Sequence, residues 1–390
     1  MKLVVIGFGQ CGGRISDGFA RLNRRAHGQR GIEIIPDAFA VNTDTDDLAE
    51  LSVIKADHRR RILIGGQRTR GHGVAKMNEL AAEIARDDIS KVIGAIGSIK
   101  NLFEINAFLV VAGAAGGTGS GAISITTKLI REKYTDKPVY AIIVLPFEHE
   151  ETEERVVYNT GLCLKSIYSV ADAVFLIDNQ RFIQKDSSLR NNMAGINEMI
   201  VEPFYNLLCA GEEKKPRRIG AKVLDAGDIM ATLSGWTTIG YSKSQISAFK
   251  LLFGRSRNYR KRGDETNKEV SIMGEAFGEL SIHCNPKDAT RALYLISAPA
   301  RKMNLDLIKD LGDYLKDAAP DATIRSGDYP NLRGEMEVVV ILSALRDVEK
   351  VREYYIKSVG LADEKSKMQQ SLDSSPTVTE DISKYLPPLL

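Results

Sequence analysis

The chain has 390 residues, of which 43% are hydrophobic and 27% are charged, and its formal net charge is +2. This length predicts two domains rather than one compact core. The near-neutral charge argues against a general nucleic-acid or membrane-surface role, and no apolar run matches a signal peptide or a membrane-spanning helix. We therefore expect a cytoplasmic protein that binds no nucleic acid and does not insert into a membrane.

The four cysteines are widely spaced along the chain, at Cys11, Cys163, Cys209 and Cys284. They form no CxxC pair and no other spacing typical of metal ligands. Reduced thiols are therefore expected, and no metal site made of protein ligands alone is predicted.

Apolar strands and helical segments alternate through the first half of the chain. Strands are predicted at 3–6, 38–41, 107–112, 139–145 and 174–177. Ile15, Phe19 and Leu22 recur at helical spacing after the first strand. This alternation is typical of an α/β fold with a doubly wound parallel sheet, in which ligands bind at the carboxyl ends of the strands.

A glycine-rich run follows the strand at 107–112. Its sequence is Gly116-Gly117-Thr118-Gly119-Ser120-Gly121, and a predicted helix begins there. Glycines let a backbone approach a phosphate closely, and a helix N-terminus offers free N–H groups and partial positive charge. The run therefore predicts a phosphate cradle, with a simple flexible loop as the alternative. No lysine follows, so amides, hydroxyls and a metal ion would replace the lysine of a P-loop.

A second glycine-containing segment, 7–13, directly follows the first strand. Gly7-Phe8-Gly9-Gln10-Cys11-Gly12 satisfies GxGxxG, so an NAD-dependent enzyme is an alternative. That class needs an acid about 20 residues beyond the glycines, whereas Asp44 comes later. Nor would such an enzyme need a second, richer glycine loop.

Three segments together resemble the tubulin/FtsZ superfamily. Ala115 to Gly121 matches its signature, Gly9-Gln10-Cys11-Gly12-Gly13 resembles the first nucleotide loop of tubulin, and Ala40-Val41-Asn42-Thr43-Asp44 is similar to FtsZ. The mixture most resembles the archaeal tubulin-like CetZ group, and the likeness extends to about residue 345. The resemblance implies a GTPase domain, a long central helix and a smaller α+β second domain.

The resemblance also implies a site for GTP or GDP, with Mg²⁺ bridging the phosphates and few or no direct protein ligands to the metal. The implied nucleotide-binding residues are Gly9, Gln10, Cys11, Gly12, Arg14, Asn42, Asp44, Gly71, Gly73, Gly113, Gly116, Gly117, Thr118, Gly119, Ser120, Gly121, Glu150, Asn179 and Asn197.

Several of these assignments have alternatives. Asp44 also fits a turn or helix-cap residue, and Glu151 competes with Glu150 for the ribose. Asn179 and Asn197 match the family asparagines that read guanine. The aromatic ring usual one turn before the second asparagine is replaced by Met193, so stacking on the base is weaker or is supplied elsewhere.

The segment Val223 to Asp228 resembles the catalytic loop of the superfamily. Its acids, Asp225 and Asp228, are three residues apart and would share one face of a helix beginning there. The resemblance implies that they polarise a water at the neighbouring subunit's GTP, so that the filament contact completes the active site. Helix capping by Asp225 is an alternative reading compatible with catalysis. A GTP-binding scaffold without turnover is the alternative function.

We predict a nucleotide-binding domain over 1–185, a central helix and connecting loop over 186–221, a second domain over 222–358 and a flexible tail over 359–390. The expected partner is the protein itself, in head-to-tail filaments acting in cell shape or division. Lateral contacts are predicted through 242–266, with a solvated loop and binding of an acidic partner or nucleic acid as alternatives for its basic run. Adaptor docking is predicted at 385–390, with packing of this peptide onto the body of the protein as the alternative.

Overall fold

The computed structural model describes residues 1–183, 189–215, 219–245, 271–303, 305–331 and 334–370. Strands and helices alternate in its first half, except that two helices lie between the third and fourth strands. The elements there are β1 (Leu3–Phe8), α1 (Gly9–Arg30), β2 (Asp37–Asn42), α2 (Thr45–Ala49), β3 (Arg61–Leu63), α3 (Gly66–Thr69), α4 (Asn78–Gly97), β4 (Ala107–Gly113), α5 (Thr118–Lys133), β5 (Val139–Leu145), α6 (Glu154–Tyr168) and β6 (Ala173–Asp178).

The second half mixes helices with longer strands. Its elements are α7 (Leu189–Val201), α8 (Pro203–Ala210), α9 (Ala226–Thr232), β7 (Gly235–Gln245), α10 (271–278), β8 (Ala289–Ser297), α11 (Leu305–Ala318), β9 (Thr323–Asp328), β10 (Glu335–Leu345) and α12 (Glu349–Gln370). Two short 3₁₀ turns, Glu148–Thr152 and Asn179–Phe182, follow β5 and β6.

All ten strands form one sheet in the order β3-β2-β1-β4-β5-β6-β7-β10-β8-β9. Strands β1 to β7 pair in parallel, whereas β10 is antiparallel to both β7 and β8. The predicted doubly wound parallel sheet with a smaller α+β part is therefore confirmed.

The strands of the parallel part are buried on both faces, which explains their nearly continuous apolar sequences. In β1, Val4 and Ile6 pack in the layer that contains α4, α5 and α6. Leu3 and Val5 point the other way, into the layer of α1, α7 and α8. Successive side chains of a strand alternate between its faces, so β1 joins the two cores.

The described residues of 186–221, where a long central helix is expected, contain two helices. Helix α7 ends at Val201 and α8 begins at Pro203, with Glu202 between them. Proline has no backbone N–H and clashes with the preceding turn, so it fits the first position of a new helix better than a helix interior.

Residue 359, where a flexible tail is predicted to begin, lies within α12, which continues to Gln370. Residues 371–390 lie outside the described part of the chain.

Helix α12 packs tightly onto α6 of the parallel part. Ser358 Oγ donates a 2.9 Å hydrogen bond to the Val157 carbonyl. A Cβ placed on Gly161 would lie 2.1 Å from Ser358 Oγ and 2.6 Å from its Cβ, so Gly161 is what allows this approach.

Gly161→Ala is therefore expected to lower the free energy of unfolding by about 1–3 kcal/mol, because the added methyl group overlaps Ser358. Urea unfolding followed by circular dichroism measures the change. Gly94→Ala in α4 is the matched control, since nothing lies within 4 Å of the added methyl group there. It should stabilise the protein by about 0.5–1 kcal/mol. Equal stabilities for the two variants would contradict the packing described.

Candidate functional site

Two helices begin side by side at the carboxyl edge of the sheet. Helix α1 starts at Gly9, directly after β1, and α5 starts at Thr118, shortly after the adjacent strand β4. Gly9 has φ +68°, and a Cβ on it would lie 3.1 Å from the Gly119 nitrogen. A Cβ on Gly119 would lie 3.1 Å from the Phe8 carbonyl oxygen. Glycine at both positions therefore lets the two helix N-termini converge.

Converging helix N-termini favour an anion. The N–H groups of the first turn of a helix have no carbonyl acceptor within that helix, and the helix dipole adds partial positive charge. In α5 these groups belong to Thr118, Gly119 and Ser120, and in α1 to Gly9, Gln10 and Cys11. Nothing lies within 4 Å of a Cβ built on Gly116, so the start of the glycine-rich run faces open space.

The two hydroxyl side chains of the glycine-rich run form hydrogen bonds, and its last glycine packs against a neighbouring helix. The Thr118 hydroxyl bonds to the Thr43 hydroxyl at 2.7 Å, and the Ser120 hydroxyl donates to the Gly116 carbonyl. The Gly121 N–H donates to the Gly117 carbonyl at 3.0 Å. A Cβ on Gly121 would lie 2.2 Å from the Asn78 carbonyl of α4, so this glycine serves helix packing.

The end of β2 carries a compact polar cluster next to α1. The Asn42 amide and the Gln10 amide donate to the two oxygens of Asp47 at 2.9 and 2.7 Å. Desolvation raises the pKa of the Asp47 carboxyl, while the bonds from Asn42 and Gln10 oppose this. Asp44 caps α2, since its carboxylate accepts from the Asp46 and Asp47 N–H groups.

The loop after α3 closes over this cluster. The Gly73 N–H donates to the Thr43 carbonyl at 3.2 Å, and the Thr45 N–H donates to the Gly71 carbonyl at 3.0 Å. Gly71 and Gly73 have φ of +79° and +74°. The predicted residues Asn42, Asp44, Gly71 and Gly73 are thus brought together beside Gln10.

Cys11 and Gly113 also meet at this edge. A Cβ on Gly113 would lie 3.2 Å from the Cys11 Cβ. Desolvation is the main reason that the pKa of the Cys11 thiol rises, to about 12, so the group is a neutral thiol at physiological pH.

A cavity of about 1360 Å³ lies between α1 and α7. Arg14, Met193 and Asn197 line it together, and Phe182 contributes an aromatic ring from the turn that begins at Asn179. Arg14 forms an ion pair with Glu50 at 2.6 Å. The sequence analysis did not identify Phe182. Its position three residues after Asn179 could have indicated it, because both residues belong to the turn that follows β6.

The two candidate ribose acids have different surroundings. Glu150 caps its own 3₁₀ turn by accepting from the Phe147 N–H at 2.9 Å, and it is close enough to Cys11 to influence that thiol. Glu151 points to α12, where it accepts from the Tyr354 hydroxyl at 2.6 Å.

Asp225 and Asp228 lie at the opposite edge of the sheet from the glycine loops. Strand β7 follows α9 and begins at Gly235, which pairs with Ala173, the first residue of β6. The amino edge is therefore separated from the carboxyl edge by the six residues of β6, about 20 Å of strand. The Asp225 carboxylate caps α9 by accepting from the Asp228 N–H at 2.9 Å. The Asp228 carboxylate lies 3.6 Å from Arg325 Nε.

Asn159 is a further site residue that the sequence analysis missed. This buried side chain on α6 donates to the Lys76 carbonyl at 2.9 Å and to the Ala115 carbonyl at 3.0 Å. Lys76 has φ +59°, and a Cβ on Gly117 would lie 3.0 Å from its backbone. Asn159 thus ties the loop before α4 to the glycine-rich run.

Some predicted features fall wholly or partly outside the described residues. Of the lateral segment 242–266, the structure describes 242–245 as the end of β7, and the C-terminal peptide 385–390 is outside. Within the described ranges, no helix has both the length and the apolar character needed to cross a membrane. The same residues contain no cluster of three or more His, Cys, Asp or Glu side chains arranged to hold a metal ion.

Comparison with known proteins places this chain in a family. Residues 2–186 match the family model of the tubulin/FtsZ GTPase domain, and residues 186–359 match that of the tubulin-like CetZ C-terminal domain. The tubulin-like protein CetZ1 of Haloferax volcanii is 34% identical over 370 residues, which is 90% of each chain. The chain belongs to the tubulin/FtsZ superfamily and, within it, to the CetZ group.

Two solved structures are also similar. The GDP-bound CetZ1 monomer of Haloferax volcanii has a TM-score of 0.78 and 31% identity, covering 93% of this chain and 99% of the other. The CetZ2 protofilament of the same organism, bound to GTPγS, has a TM-score of 0.79 and 29% identity, covering 94% and 100%.

Asn159→Ala should lower the free energy of unfolding by about 1–3 kcal/mol, because the Lys76 and Ala115 carbonyls lose a buried donor. Asn159→Asp keeps the shape but places a carboxylate oxygen against the same carbonyls, so it should be at least as destabilising. Thermal unfolding of both variants measures this. An Asn159→Asp protein as stable as the wild type would contradict the proposed importance of the hydrogen bonds from Asn159 to the Lys76 and Ala115 carbonyls.

Proposed function

We propose that this protein is a GTP-binding cytoskeletal protein that assembles head-to-tail and hydrolyses GTP between subunits. One observation carries the proposal: the convergent helix N-termini and the acid pair Asp225–Asp228 lie at opposite edges of one sheet. A single subunit cannot bring the two together, whereas a second subunit stacked on the first brings its amino edge to the nucleotide.

The phosphates would bind to the main-chain N–H groups of the first turns of α1 and α5. Several charge-assisted bonds, each worth roughly 1.5–3 kcal/mol, would replace a lysine. Gly116 would leave room for them, while Gly117 and Gly121 would contribute through packing against the loop before α4 and against α4 itself. The CetZ relatives bound to GDP and to GTPγS support a guanine nucleotide here.

Mg²⁺ would take most of its ligands from phosphate oxygens and water, which suits a cation that dehydrates reluctantly. The donor set at the edge fits this role, because Asp44 is occupied in capping α2 and Thr118 is bonded to Thr43. When bound, the ion would neutralise charge on the phosphates.

The base would enter the cavity between α1 and α7. Asn197, which lines the cavity, would read the guanine edge there. Asn179 would contribute from the start of the turn after β6. A carboxamide can both accept from the N1 and N2 donors of guanine and donate to O6. Phe182 would supply the aromatic contact that Met193 lacks. Glu150 is the better ribose residue, because Glu151 is bonded to α12.

Asp228 would orient the attacking water at the neighbour's terminal phosphate, with Asp225 fixing the helix that presents it. Positioning and electrostatic stabilisation supply most of the catalysis in phosphoryl transfer. The GTPγS-bound CetZ2 protofilament supports assembly of this kind. We further propose that the filaments act in cell shape or division within the cytoplasm, with lateral contacts through 242–266 and adaptor docking at 385–390.

Asp228→Asn should reduce the rate of phosphate release from GTP about a hundredfold or more, with GTP binding retained, because the carboxylate that polarises water is lost. Asp225→Asn should have a smaller effect, since an amide oxygen can still cap α9. Phosphate release with GTP, and with ATP as the nucleotide control, measures turnover, and fluorescent GTP measures affinity.

Asp321→Asn, an exposed acid elsewhere in the second part, is the matched control and should behave as wild type. Normal turnover by Asp228→Asn would contradict its catalytic role. A wild-type protein that binds GTP but releases no phosphate at any protein concentration would favour the passive scaffold.

A further inference from the structure

A cluster of charged and polar side chains joins α12 to the two turns at the carboxyl edge. We name it the α12 cluster: Glu151, Asp178, Lys350, Tyr354 and Lys357. Lys350 Nζ lies 2.8 Å from Asp178 Oδ1 and 3.8 Å from Glu151 Oε1. Tyr354 donates to Glu151 Oε1 at 2.6 Å, and Lys357 Nζ lies 3.3 Å from Glu151 Oε2.

Apart from the half-exposed Lys357, the cluster is largely shielded from solvent. The side chains of Asp178 and Glu151 are 10% and 16% exposed, and that of Lys350 is 20% exposed. Two partly buried carboxylates thus share one ammonium group. Removing that cation would leave Asp178 without its ion pair and Glu151 with the half-exposed Lys357, and repulsion between the two carboxylates would be weakly screened at this depth.

Each carboxylate neighbours a proposed nucleotide contact. Asp178 immediately precedes Asn179, and its Oδ1 also accepts the Gln180 N–H at 3.1 Å, which fixes the start of the turn. Glu151 immediately follows Glu150 in the turn after β5. One ammonium group therefore holds the base turn and the ribose turn in a fixed relation.

Helix α12 does not depend on Lys350 for its attachment. Val351 and Tyr354 are buried, and Ser358 bonds to α6 beside Gly161. The helix is therefore attached independently of Lys350. Lys350 contacts both turns, whereas Tyr354 and Lys357 contact only Glu151.

We propose that Lys350 is a positioning residue for the nucleoside part of the ligand, acting through Asp178 on the base turn and through Glu151 on the ribose turn. This inference rests on the proposed GTP site. It makes the C-terminal helix, more than 160 residues from Asn179 in the chain, a determinant of nucleotide selectivity.

The test compares Lys350→Met with Lys350→Arg in the full-length protein. Fluorescent GTP titration gives the affinity, and competition with ITP and 2′-deoxy-GTP reports on the base and ribose contacts separately. Lys350→Met should weaken GTP about tenfold and reduce the preference for GTP over ITP, whereas Lys350→Arg should stay within about threefold of wild type. Arg352→Met is the matched control, because it removes an exposed cation of α12 that pairs with Asp347, a residue just before the helix.

A second measurement separates positioning from general destabilisation. Asp178→Asn keeps an oxygen for the Gln180 N–H but removes the charge that Lys350 contacts. If Lys350 acts through Asp178, adding Lys350→Met to Asp178→Asn should cost less in GTP affinity than Lys350→Met costs alone. Lys350→Gln serves for the same comparison should Lys350→Met not fold.

Unchanged affinity and unchanged GTP/ITP preference in Lys350→Met, with wild-type GTP binding intact, would overturn this inference alone. A wild-type protein that does not bind GTP would overturn the proposed function itself. A loss of thermal stability without a change in GTP/ITP preference would show a structural role and would also overturn the inference.

Discussion

The close approach of two backbones, at Gly9 and Gly119, is the constraint on which the site depends. Strands β1 and β4 are neighbours in the sheet, but the helices that follow them pack on opposite faces. Because β1 and β4 are parallel, both helices begin at the carboxyl edge of the sheet. A side chain at either glycine would separate their first turns. The convergence concentrates N–H groups and positive helix dipoles without any lysine.

The parallel sheet also separates the proposed nucleotide-binding loops from the acids proposed to act on the nucleotide. Ligand loops collect at its carboxyl edge, whereas the acids of α9 lie where β7 begins, at the amino edge. The sheet is rigid, so its two edges cannot approach each other within one subunit. A monomer would therefore bind nucleotide without the acids that act on it. In the proposed function, head-to-tail stacking would bring the acids of one subunit to the nucleotide of the next, because it repeats the same heterologous contact along a filament. Hydrolysis would then be coupled to assembly by geometry.

Much of the fold could be predicted from local sequence, because apolar strands and the glycine-rich run determine the parallel half. The capping role of Asp225 was also readable from its place before a short helix. Pro203 marks the break in the central helix, yet Ile200, Phe204 and Leu207 recur at helical spacing across it and favour one helix. Periodicity reports which face is buried and does not reveal whether the backbone is continuous.

Other features depend on contacts distant in the chain and had no local signal. The glycines of the run look alike in sequence, but Gly121 packs against α4 while Gly116 faces open space. The different surroundings of Glu150 and Glu151 follow from Tyr354, 203 residues beyond Glu151. Nothing in the sequence distinguishes Asn159 from other helical asparagines. Its role follows from the position of α6 beside the two loops that Asn159 connects.

Mixing two variants, each expected to be inactive, tests most directly whether the site is shared between subunits. Asp228→Ala should bind GTP without acids to act on it. Gly116→Glu should repel phosphates, and nothing lies within 4 Å of a Cβ at this position. Loss of GTP binding by this variant is checked first. We expect phosphate release to return on mixing, up to about a quarter of the wild-type rate in an equal mixture with random head-to-tail contacts. A mixture as inactive as its separate components would contradict a site completed by the neighbouring subunit.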